Sequence, residues 1–441
     1  MLNKFKRLYK KIPSSISLPF LKITGLAPIY SKKHWRKVKI VETTFNRIQI
    51  KEDLIKLNNQ IKNVDYYSAK EYLCFKKNSS LENLKALPII DTSIVRNNLT
   101  NFINTSIPGY DTTTGGSGRN PLKIHLSNKS YFQDRIYAFY AWSTLGYKRG
   151  DLKLTLRGVN LGDDLYQYNP MNNELLINIF LLNKDNLPEI IRIINKYKPV
   201  FGHGYPSAWY NLALLMKGAE LKFNSKLKGI YFASETVDNT KRDFVEEIFN
   251  VPVRATYGFT ERAAFAFELP KKKNHYLVAL QYGLIEILKE DGSDAEVGER
   301  GEIVCTGFIN ARMPLIRYKT GDSAIVSVLE NGIVKEIEEL AGRWGKDFIL
   351  DTKGNEIYTT AINVHSRAQF DFRYIQLYQK EPGELTVRCV PFSKIKPSSL
   401  KEINDELVEK LPTVSISTEV CELENLYISK RGKIPYLVKE K

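Results

Sequence analysis

The stretch 314–322, Pro-Leu-Ile-Arg-Tyr-Lys-Thr-Gly-Asp, places two charged side chains beside an apolar run, a spacing that suits nucleotide binding. We expect an apolar strand to end here and run into a Thr-Gly turn, with Arg317 and Asp322 buried beside it. A carboxylate held on such a turn can accept hydrogen bonds from two ribose hydroxyls at once. A β-hairpin that ends in a Gly-Asp turn explains the same residues without a ligand, so both interpretations are open at this point.

A second stretch that could bind a nucleotide is the glycine-rich segment 111–122, Asp-Thr-Thr-Thr-Gly-Gly-Ser-Gly-Arg-Asn-Pro-Leu. The backbone amides of such a loop can converge on an anion, and its hydroxyl groups can donate to phosphate oxygens. No Gly-Lys-Ser or Gly-Lys-Thr follows, so this is not a Walker loop. A flexible surface turn is the alternative. The candidate phosphate-binding residues are Thr113, Thr114, Gly115, Gly116, Ser117 and Gly118.

A third candidate is the pentapeptide 257–261, Tyr-Gly-Phe-Thr-Glu, which interrupts a predicted strand. Gly258 permits a tight turn, and the ring of Tyr257 can stack on a purine. The carboxylate of Glu261 can hold a Mg²⁺ ion that a triphosphate brings with it.

Residues 128–240 alternate between helical and strand-like patterns, which predicts a largely parallel or mixed sheet with crossover helices. The expected helices span 130–145, 186–197 and 237–249, with another ending at 217; the expected strands span 152–156, 174–182, 199–202, 227–235 and 251–256. Ser207 is the predicted N-cap of the helix that ends at 217. His203, Tyr205 and Ser234 follow carboxyl ends of strands, and we expect them to line a substrate pocket.

The later part of the chain predicts a boundary and a small second domain. Four acidic residues, Glu286, Asp291, Asp294 and Glu299, lie around glycine-rich turns and are predicted to be solvated. The segment 342–347 is glycine-rich and charged, as is typical of a linker. After it we expect a small α/β module, which exposes Lys433 on a tight basic turn.

Composition excludes several classes of protein. The chain has 441 residues, 43% of them hydrophobic, and no run approaches the roughly 20 apolar residues of a membrane span. The apolar piece 16–21 is too short for a secretory signal, so we expect no export and a cytoplasmic location. Four separated cysteines and five separated histidines lack the spacing of a zinc site or a disulfide framework.

The net charge of +16 is concentrated at the beginning of the chain, where residues 1–40 contain eleven Lys and Arg and no acidic residue. Apolar residues recur every three or four positions over 2–12, which predicts a short basic amphipathic helix. Such a helix suits the surface of an anionic membrane. It could equally pack on the body of the protein. Nucleic acid is not the expected partner, because no recognition motif accompanies the charge.

In their order along the chain, these stretches resemble the adenylate-forming enzyme superfamily, most closely the phenylacetate-CoA-ligase-like branch that includes CapK-type capsular polysaccharide proteins. The resemblance covers about residues 85–441. The segments that carry it are 114–122, 198–200, 204–207, 233–235, 257–261, 314–322, 342–343 and 432–433.

The resemblance implies a fold of the α/β class. A basic arm (1–40) would precede a large adenylate-forming domain with mixed sheets and crossover helices (41–342), followed by a small mobile C-terminal α/β lid (343–441). It also implies a hinge within 344–347. Two departures from the family pattern are Gly345-Lys346, where relatives often carry an acidic pair, and Arg119-Asn120, which adds a residue before Pro121.

The resemblance also implies roles for the candidate residues in a two-step reaction. A carboxylate attacks the α-phosphorus of Mg·ATP, and an acceptor then takes the acyl group from the adenylate. The loop 113–118 would bind the β- and γ-phosphates, Glu261 would hold Mg²⁺, and Lys433 would bridge the carboxylate and the α-phosphate. The implied nucleotide-binding residues are Glu235 and Tyr257 at the adenine, Asp322 and Arg343 at the ribose, and Gly258 and Thr260 between them.

The acid and the acceptor are not apparent from the residues. A small carboxylic acid, including an amino acid, could be transferred to a thiol such as CoA, to an amine, or to a sugar hydroxyl. We expect a role in capsular polysaccharide or O-antigen synthesis at the inner face of the membrane. The alternatives are an acyl- or aryl-CoA ligase and a non-catalytic scaffold that retains the fold.

Overall fold

The structure is a computed structural model of the chain, and a boundary between a large and a small compact unit falls after Gly342. The described residues are 14–45, 50–114, 122–159, 161–342, 348–354, 356–358, 362, 364, 366, 368, 371–391, 395, 397–428 and 434–440.

The helices of the described residues lie mostly in the large unit. In chain order they are α1 (Ser14–Thr24), α2 (Lys32–Thr44), α3 (Ile50–Ile61), α4 (Leu73–Lys77), α5 (Leu81–Lys85), α6 (Thr92–Asn97), α7 (Asn128–Ser143), α8 (Leu187–Tyr197), α9 (Pro206–Gly218), α10 (Asn239–Phe249) and α11 (Pro397–Lys410). Short 3-10 helices occur at Asp65–Ser68, Lys70–Tyr72, Leu99–Phe102, Ile179–Leu181 and Leu423–Asn425.

The strands of the described residues belong to both units. In chain order they are β1 (Gly109–Thr113), β2 (Lys123–Ser127), β3 (Lys153–Leu156), β4 (Tyr166–Asn169), β5 (Glu174–Ile177), β6 (Phe201–Gly204), β7 (Ile230–Phe232), β8 (Val253–Gly258), β9 (Phe265–Glu268), β10 (His275–Val278), β11 (Gly283–Leu288), β12 (Arg300–Gly307), β13 (Tyr318–Glu330), β14 (Ile333–Ala341), β15 (Phe348–Leu350), β16 (Glu356–Tyr358), β17 (Phe372–Gln379), β18 (Glu384–Pro391), β19 (Ser415–Val420) and β20 (Leu437–Lys439).

A mixed sheet of twelve strands forms the large unit, in the order β4-β5-β3-β6-β7-β8-β9-β10-β14-β13-β12-β11. Strands β5, β3, β6, β7 and β8 run parallel. The pairs outside this block are antiparallel. Helices α8, α9 and α10 connect successive parallel strands, as parallel pairing requires. The predicted α/β fold with a mixed sheet and crossover helices is confirmed.

Local sequence explains the crossover helices. In α8 the buried apolar residues recur at helical spacing, Pro188 stands in the first turn, and Lys198 ends the helix in the left-handed conformation with φ of 52°. The predicted strand 174–182 is too long, because β5 ends at Ile177 and a 3-10 turn follows. The predicted N-cap at Ser207 is wrong, since Tyr205 occupies the N-cap position and Ser207 lies inside the first turn of α9.

The N-terminal helices pack on the large unit from Ser14 onward. Leu21 and Val38 are buried in a hydrophobic cluster of this unit, and the ring of Trp35 stacks on Phe139 with centroids 5.3 Å apart. The predicted amphipathic helix at 2–12 lies outside the described residues. Among the described helices, none has the length and apolar character needed to cross a bilayer.

The prediction that a strand ends within 314–322 is wrong. Strand β13 begins at Tyr318 and continues to Glu330, so Asp322 lies inside it. The register against β12 shifts between the pairs Lys319↔Val304 and Ser323↔Glu302, and Gly321 has φ of 79°. The Thr-Gly-Asp segment is therefore a bulge, which turns side chains out of the regular ladder.

Glu286 was predicted to be solvated, and this is wrong. It is 5% exposed on β11 and forms an ion pair with Arg317, whose guanidinium Nη2 and Nε lie 3.0 and 3.2 Å from its carboxylate oxygens. Arg317 itself is buried, as predicted, and its Nη1 also donates to the carbonyl oxygens of Lys85 and Leu87. This pair fixes the entry to β13.

The small unit contains a four-stranded sheet of order β19-β18-β17-β20. Strands β17 and β18 are antiparallel, and each has a parallel outer neighbour. Ile403 and Leu407 of α11 are buried in one cluster with Leu377, Leu385 and Val387 of the sheet. The unit thus has its own hydrophobic core.

Candidate functional site

The carboxyl ends of β6, β7 and β8 meet at one edge of the large sheet, because these strands are adjacent and parallel. His203 precedes the end of β6, Ser234 follows β7, and Tyr257 lies near the end of β8. Ser234 has φ of 70°, a left-handed conformation that is uncommon for a residue other than glycine. Three of the predicted site residues are therefore brought to the same edge.

Gly204 shapes this edge, because no other residue fits at its position. It has φ of 143°, and a Cβ atom there would lie 1.9 Å from the carbonyl oxygen of Leu156 on β3. The close approach lets β6 turn directly into α9. Glu235 lies across this turn, and its Oε2 accepts a hydrogen bond from the amide of Ser207 at 3.1 Å. A carboxylate at the start of a helix is stabilised by the free amides there.

His203 is a neutral histidine beneath α7. Its Nδ1 lies 3.1 Å from the carbonyl oxygen of Tyr231, which implies that Nδ1 carries the proton, and its ring lies 5.0 Å from the ring of Trp142. Burial and, to a smaller extent, the charges of Lys153 and Arg157 lower the pKa of His203 to about 3. The Nε2 atom of this tautomer can only accept a hydrogen bond.

Asp322 and Tyr257 are joined by a direct hydrogen bond, in which the Tyr257 hydroxyl donates to Asp322 Oδ2 at 3.0 Å. The amide of Asp322 donates to Thr320 Oγ1, also at 3.0 Å, and Thr320 donates in turn to the carbonyl oxygen of Ile303. The bulge in β13 therefore directs a half-buried carboxylate toward the end of β8.

Glu261 is held by a second tyrosine. The hydroxyl of Tyr318 lies 3.1 Å from Glu261 Oε1 and 3.0 Å from Thr92 Oγ1. Glu261 is only 9% exposed, and burial raises its pKa, with a smaller contribution from the nearby charge of Asp322. Two carboxylates close enough to repel each other form a site that a cation would stabilise.

The donor set at this edge therefore fits one divalent cation that arrives with a phosphate ligand. Oxygen ligands from one or two carboxylates, completed by phosphate oxygens, are what Mg²⁺ prefers. Within the described residues, no cluster of three or more His, Cys, Asp or Glu side chains could hold a metal by itself. The four cysteines are free thiols.

Arg262 is a site residue that the sequence analysis missed. It follows Glu261, has φ of 56°, and donates from Nη1 to Ser130 Oγ at 3.0 Å and from Nη2 to the Tyr110 hydroxyl at 3.1 Å. It thus ties the Glu261 turn to α7 and to the β1–β2 hairpin. An arginine directly after the pentapeptide 257–261 was visible in the sequence, but its partners lie more than 130 residues away.

Tyr318, Thr320 and Thr92 were also not among the predicted site residues. The first two lie within the stretch 314–322 that the sequence analysis singled out, so their proximity could have suggested a role. Thr92 is visible only as the first residue of α6, and its contact with Tyr318 spans 226 residues.

The glycine-rich loop is described only at its two ends. Thr113 ends β1, and the amide of Thr114 donates to the carbonyl oxygen of Leu122 at 2.9 Å, while Thr114 Oγ1 accepts from the amide of Leu122 at 3.0 Å. Gly258 and Thr260 lie on the turn before Glu261. The predicted residues that fall outside the described part are Gly115, Gly116, Ser117, Gly118, Arg343 and Lys433.

Comparisons with known proteins bear on the fold and on the resemblance. Residues 177–313 match the family described as AMP-binding enzyme. The match and the fold confirm the resemblance to adenylate-forming enzymes that the motifs predicted.

The chain is similar to the protein CapK of Staphylococcus aureus, with 25% identity over 313 residues. This alignment covers 67% of the chain and 66% of CapK, slightly less than two thirds of that relative.

Two solved structures share the fold at lower identity. A 2-hydroxyisobutyryl-CoA ligase in its postadenylation state superposes with a TM-score of 0.68 at 16% identity, over 89% of this chain and 90% of the ligase. The acyl acid amido synthetase GH3.15 gives a TM-score of 0.61 at 12% identity, over 92% of this chain and 94% of the synthetase. These likenesses establish the fold, with a large N-terminal and a small C-terminal part.

Proposed function

We propose that the protein activates a small carboxylic acid with ATP and transfers the acyl group to an acceptor. The acid's oxygen bonds to the α-phosphorus, the bond to pyrophosphate breaks, and the acyl adenylate then reacts with the acceptor to release AMP. The observation that carries this proposal is the pair of carboxylates, Asp322 and Glu261, each fixed by a tyrosine hydroxyl at the carboxyl edge of the sheet. Ligands of open α/β sheets bind at this edge.

The residue roles follow from the resemblance and are supported by the described geometry. Asp322 would bind the ribose hydroxyls, and Tyr257 and Glu235 would border the adenine. Tyr257 donates to Asp322 in the structure, so ribose hydroxyls would replace this bond when the nucleotide enters. Arg343 is proposed to lie near the ribose and the loop 113–118 near the β- and γ-phosphates.

Charge on the triphosphate would be balanced by two groups. Glu261 would hold Mg²⁺, which when bound would neutralise phosphate charge. Lys433 is proposed to contact the α-phosphate and the acid, where negative charge develops during the reaction. We propose both as catalytic residues.

Three acceptors follow from the comparisons. A glycan acceptor and a role in capsular polysaccharide or O-antigen synthesis are what the resemblance to CapK-type proteins implies, and the identity of 25% to CapK supports that resemblance. The CoA ligase and the amido synthetase are proteins of the same fold whose names imply a thiol and an amine acceptor. An acyl- or aryl-CoA ligase is therefore the second candidate, and a non-catalytic scaffold is the third.

We also propose that residues 1–40 attach the enzyme to an anionic membrane. In α2 the basic residues Lys33, Arg36 and Lys37 are exposed on the side opposite the buried Val38. Ile23 is 85% exposed in the preceding helix. Exposed apolar and basic groups on neighbouring helices suit a surface of anionic lipid.

The adenylation proposal is tested by pyrophosphate release from ATP across a panel of carboxylic acids and amino acids, with and without CoA. The wild type should show acid-dependent release, and Lys433→Ala and Glu261→Gln should each lower it by about 10² to 10³. Glu290→Gln, which changes an exposed carboxylate, is the matched control and should leave the rate unchanged. Acceleration by CoA would favour the ligase, and silence across the panel despite ATP binding would favour the scaffold.

Membrane attachment is tested separately, by sedimentation with vesicles that contain anionic lipid and with neutral vesicles. The wild type should bind the anionic vesicles, and deletion of residues 2–12 should weaken the binding. A deletion variant that binds as well as the wild type would contradict a role for that segment.

A further inference from the structure

The order of the parallel strands identifies a second ligand position beside the nucleotide residues. Strand β5 lies on one side of β3, and the later strands β6, β7 and β8 extend from its other side. The direction of winding therefore reverses between β3 and β6. In open α/β sheets the crevice outside the carboxyl ends of the two strands at such a reversal is the usual ligand site.

Arg157 and His203 occupy the carboxyl ends of these two strands. Arg157 directly follows β3, and His203 is paired in register with Thr155 of the same strand. The side chain of Arg157 is 39% exposed, while its Nε atom is buried and has no hydrogen-bond partner in the part of the chain that the structure describes. Strands β3 and β7 are two strand spacings apart, which is about 10 Å. An acid activated near Ser234 could therefore reach Arg157 with its distal end.

Charged side chains line the face of β3 and β5 that leads to this crevice. Arg157 Nη2 lies 3.1 Å from Glu174 Oε1, and Glu174 also accepts from Asn169 and Asn172 at 2.8 and 2.9 Å. Glu174 is the partner of Arg157. Lys153 lies opposite Glu174 at the amino ends of β3 and β5 and is 3% exposed.

Arg135 of α7 adds a third basic group. It lines a small internal cavity together with Lys153, and its Nε atom is buried without a hydrogen-bond partner among the described residues. Burial, opposed by Glu174 and assisted by Arg135 and Arg157, lowers the pKa of Lys153 to about 7. Even with Lys153 neutral, the guanidinium groups of Arg157 and Arg135 act on the carboxylate of Glu174, and the charge of Asp134 also acts on Arg135. Of these groups, Arg157 has the side chain that an anionic ligand can reach, since it is 39% exposed.

We propose that the activated acid carries a second anionic group, as in a dicarboxylic acid, and that Arg157 binds this group and sets the specificity. The inference rests on the proposed function, because it assigns the distal end of the same acid. Neutral His203 lines the crevice with a polar ring that adds no charge of its own. The planar guanidinium can bind a carboxylate with two hydrogen bonds, which a neutral alkyl end cannot accept.

The test compares matched acids that differ only at the distal end: succinate with butyrate, glutarate with valerate, and adipate with hexanoate. For the best chain length, kcat/KM for pyrophosphate release should be roughly 10- to 100-fold higher with the diacid, the range for a hydrogen bond to a charged group. Equal values for both members of every pair, or higher values for the monocarboxylic acids, would overturn the inference while leaving adenylation established.

Arg157→Gln should lower kcat/KM for the diacid by roughly 10- to 100-fold and leave the paired monocarboxylic acid within about threefold, because only the diacid uses the lost charge. Arg157→Lys keeps the charge and should retain part of the preference. Arg192→Gln changes an exposed arginine that also pairs with a glutamate, and it should leave kcat/KM for both acids unchanged. An Arg157→Gln enzyme that still prefers the diacid would overturn the assignment.

Calorimetric binding of the same acids separates this inference from the proposed function. If the wild type releases no pyrophosphate with any acid, the adenylation proposal fails. The binding measurement still tests whether the crevice binds an anionic group. Tighter binding of a diacid than of its monocarboxylic partner, lost in Arg157→Gln, supports the anionic subsite. Equal binding of the two acids overturns it.

Discussion

Replacing Arg317 by methionine should destabilise the large unit by about 3 to 5 kcal/mol, because it leaves the buried carboxylate of Glu286 without its partner. The two side chains are 10% and 5% exposed, and two hydrogen bonds of 3.0 and 3.2 Å join them. The unit has about 340 residues. With an unfolding entropy of roughly 2 cal/mol/K per residue, the midpoint of thermal unfolding should fall by about 4 to 7 °C.

The loss of stability in Arg317→Met should also depend on pH. Burial raises the pKa of Glu286 above its ordinary value of 4.5, and Arg317 opposes this rise. Without the guanidinium the pKa of Glu286 rises further. A carboxyl group whose pKa is raised by folding contributes stability that is present below the unfolded pKa and lost as pH increases through the folded pKa. The difference between wild type and Arg317→Met should therefore be smallest below about pH 4.5 and should widen toward neutral pH.

Thermal and urea unfolding followed by tryptophan fluorescence at pH 4.5 and pH 7.5 measure both effects. Arg192→Met removes an exposed arginine from its pair with Glu189, so it should cost at most about 1 kcal/mol. The double variant Arg317→Met with Glu286→Leu removes the buried charge altogether and should recover much of the loss. The reasoning is refuted if Arg317→Met behaves like the exposed control at both pH values, or if the double variant is no more stable than the single one.

Three further predictions concern the site and its supports. Tyr318→Phe removes the donor that lowers the pKa of Glu261, so the acid limb of pyrophosphate release should move to higher pH in a pH-rate profile. Gly204→Ala places a Cβ atom 1.9 Å from a backbone oxygen and should cost at least about 3 kcal/mol, whereas Gly218→Ala, with nothing within 4 Å of its Cβ, should be neutral or stabilising in thermal unfolding. Asp238→Ala removes the N-cap of α10 and should cost about 1 kcal/mol, seen as faster hydrogen exchange of the first-turn amides, while Asp238→Asn should not.

Local patterns in the sequence were sufficient to predict the helices and strands of the parallel half of the sheet. The helix predicted at 186–197 is observed from Leu187 to Tyr197, because its apolar spacing, its early proline and its left-handed end all act within a few residues. The N-cap of α6 is equally local, because the carboxylate of Asp91 accepts from the amides of Ser93 and Ile94. Signals of this range can be recognised in a single chain without an alignment.

Interactions between distant residues were not predictable in the same way. Glu286 looks like an exposed hairpin residue because its neighbours in sequence are polar, whereas its partner Arg317 lies 31 residues further on. The same limit applies to Arg262, whose acceptors are Ser130 and Tyr110. The motif residues indicated the chemistry of the site, but the side chains that hold them in place were found only in the folded chain.

The contact between Tyr257 and Asp322 shows how the two halves of the sheet build one site. Strands β8 and β13 are four positions apart in the sheet order, which would separate them by about 19 Å in a flat sheet. The side chains nevertheless meet at 3.0 Å, so the antiparallel half must curve back over the end of β8. Register shifts in the β12–β13 and β13–β14 pairs provide this bending, since bulges increase local twist and kink a strand. The Thr-Gly-Asp segment is one of these bulges, so the same three residues bend the sheet and direct the carboxylate. The motif was recognisable in the sequence because its chemistry is local, whereas its second role depends on a register that only strand pairing defines.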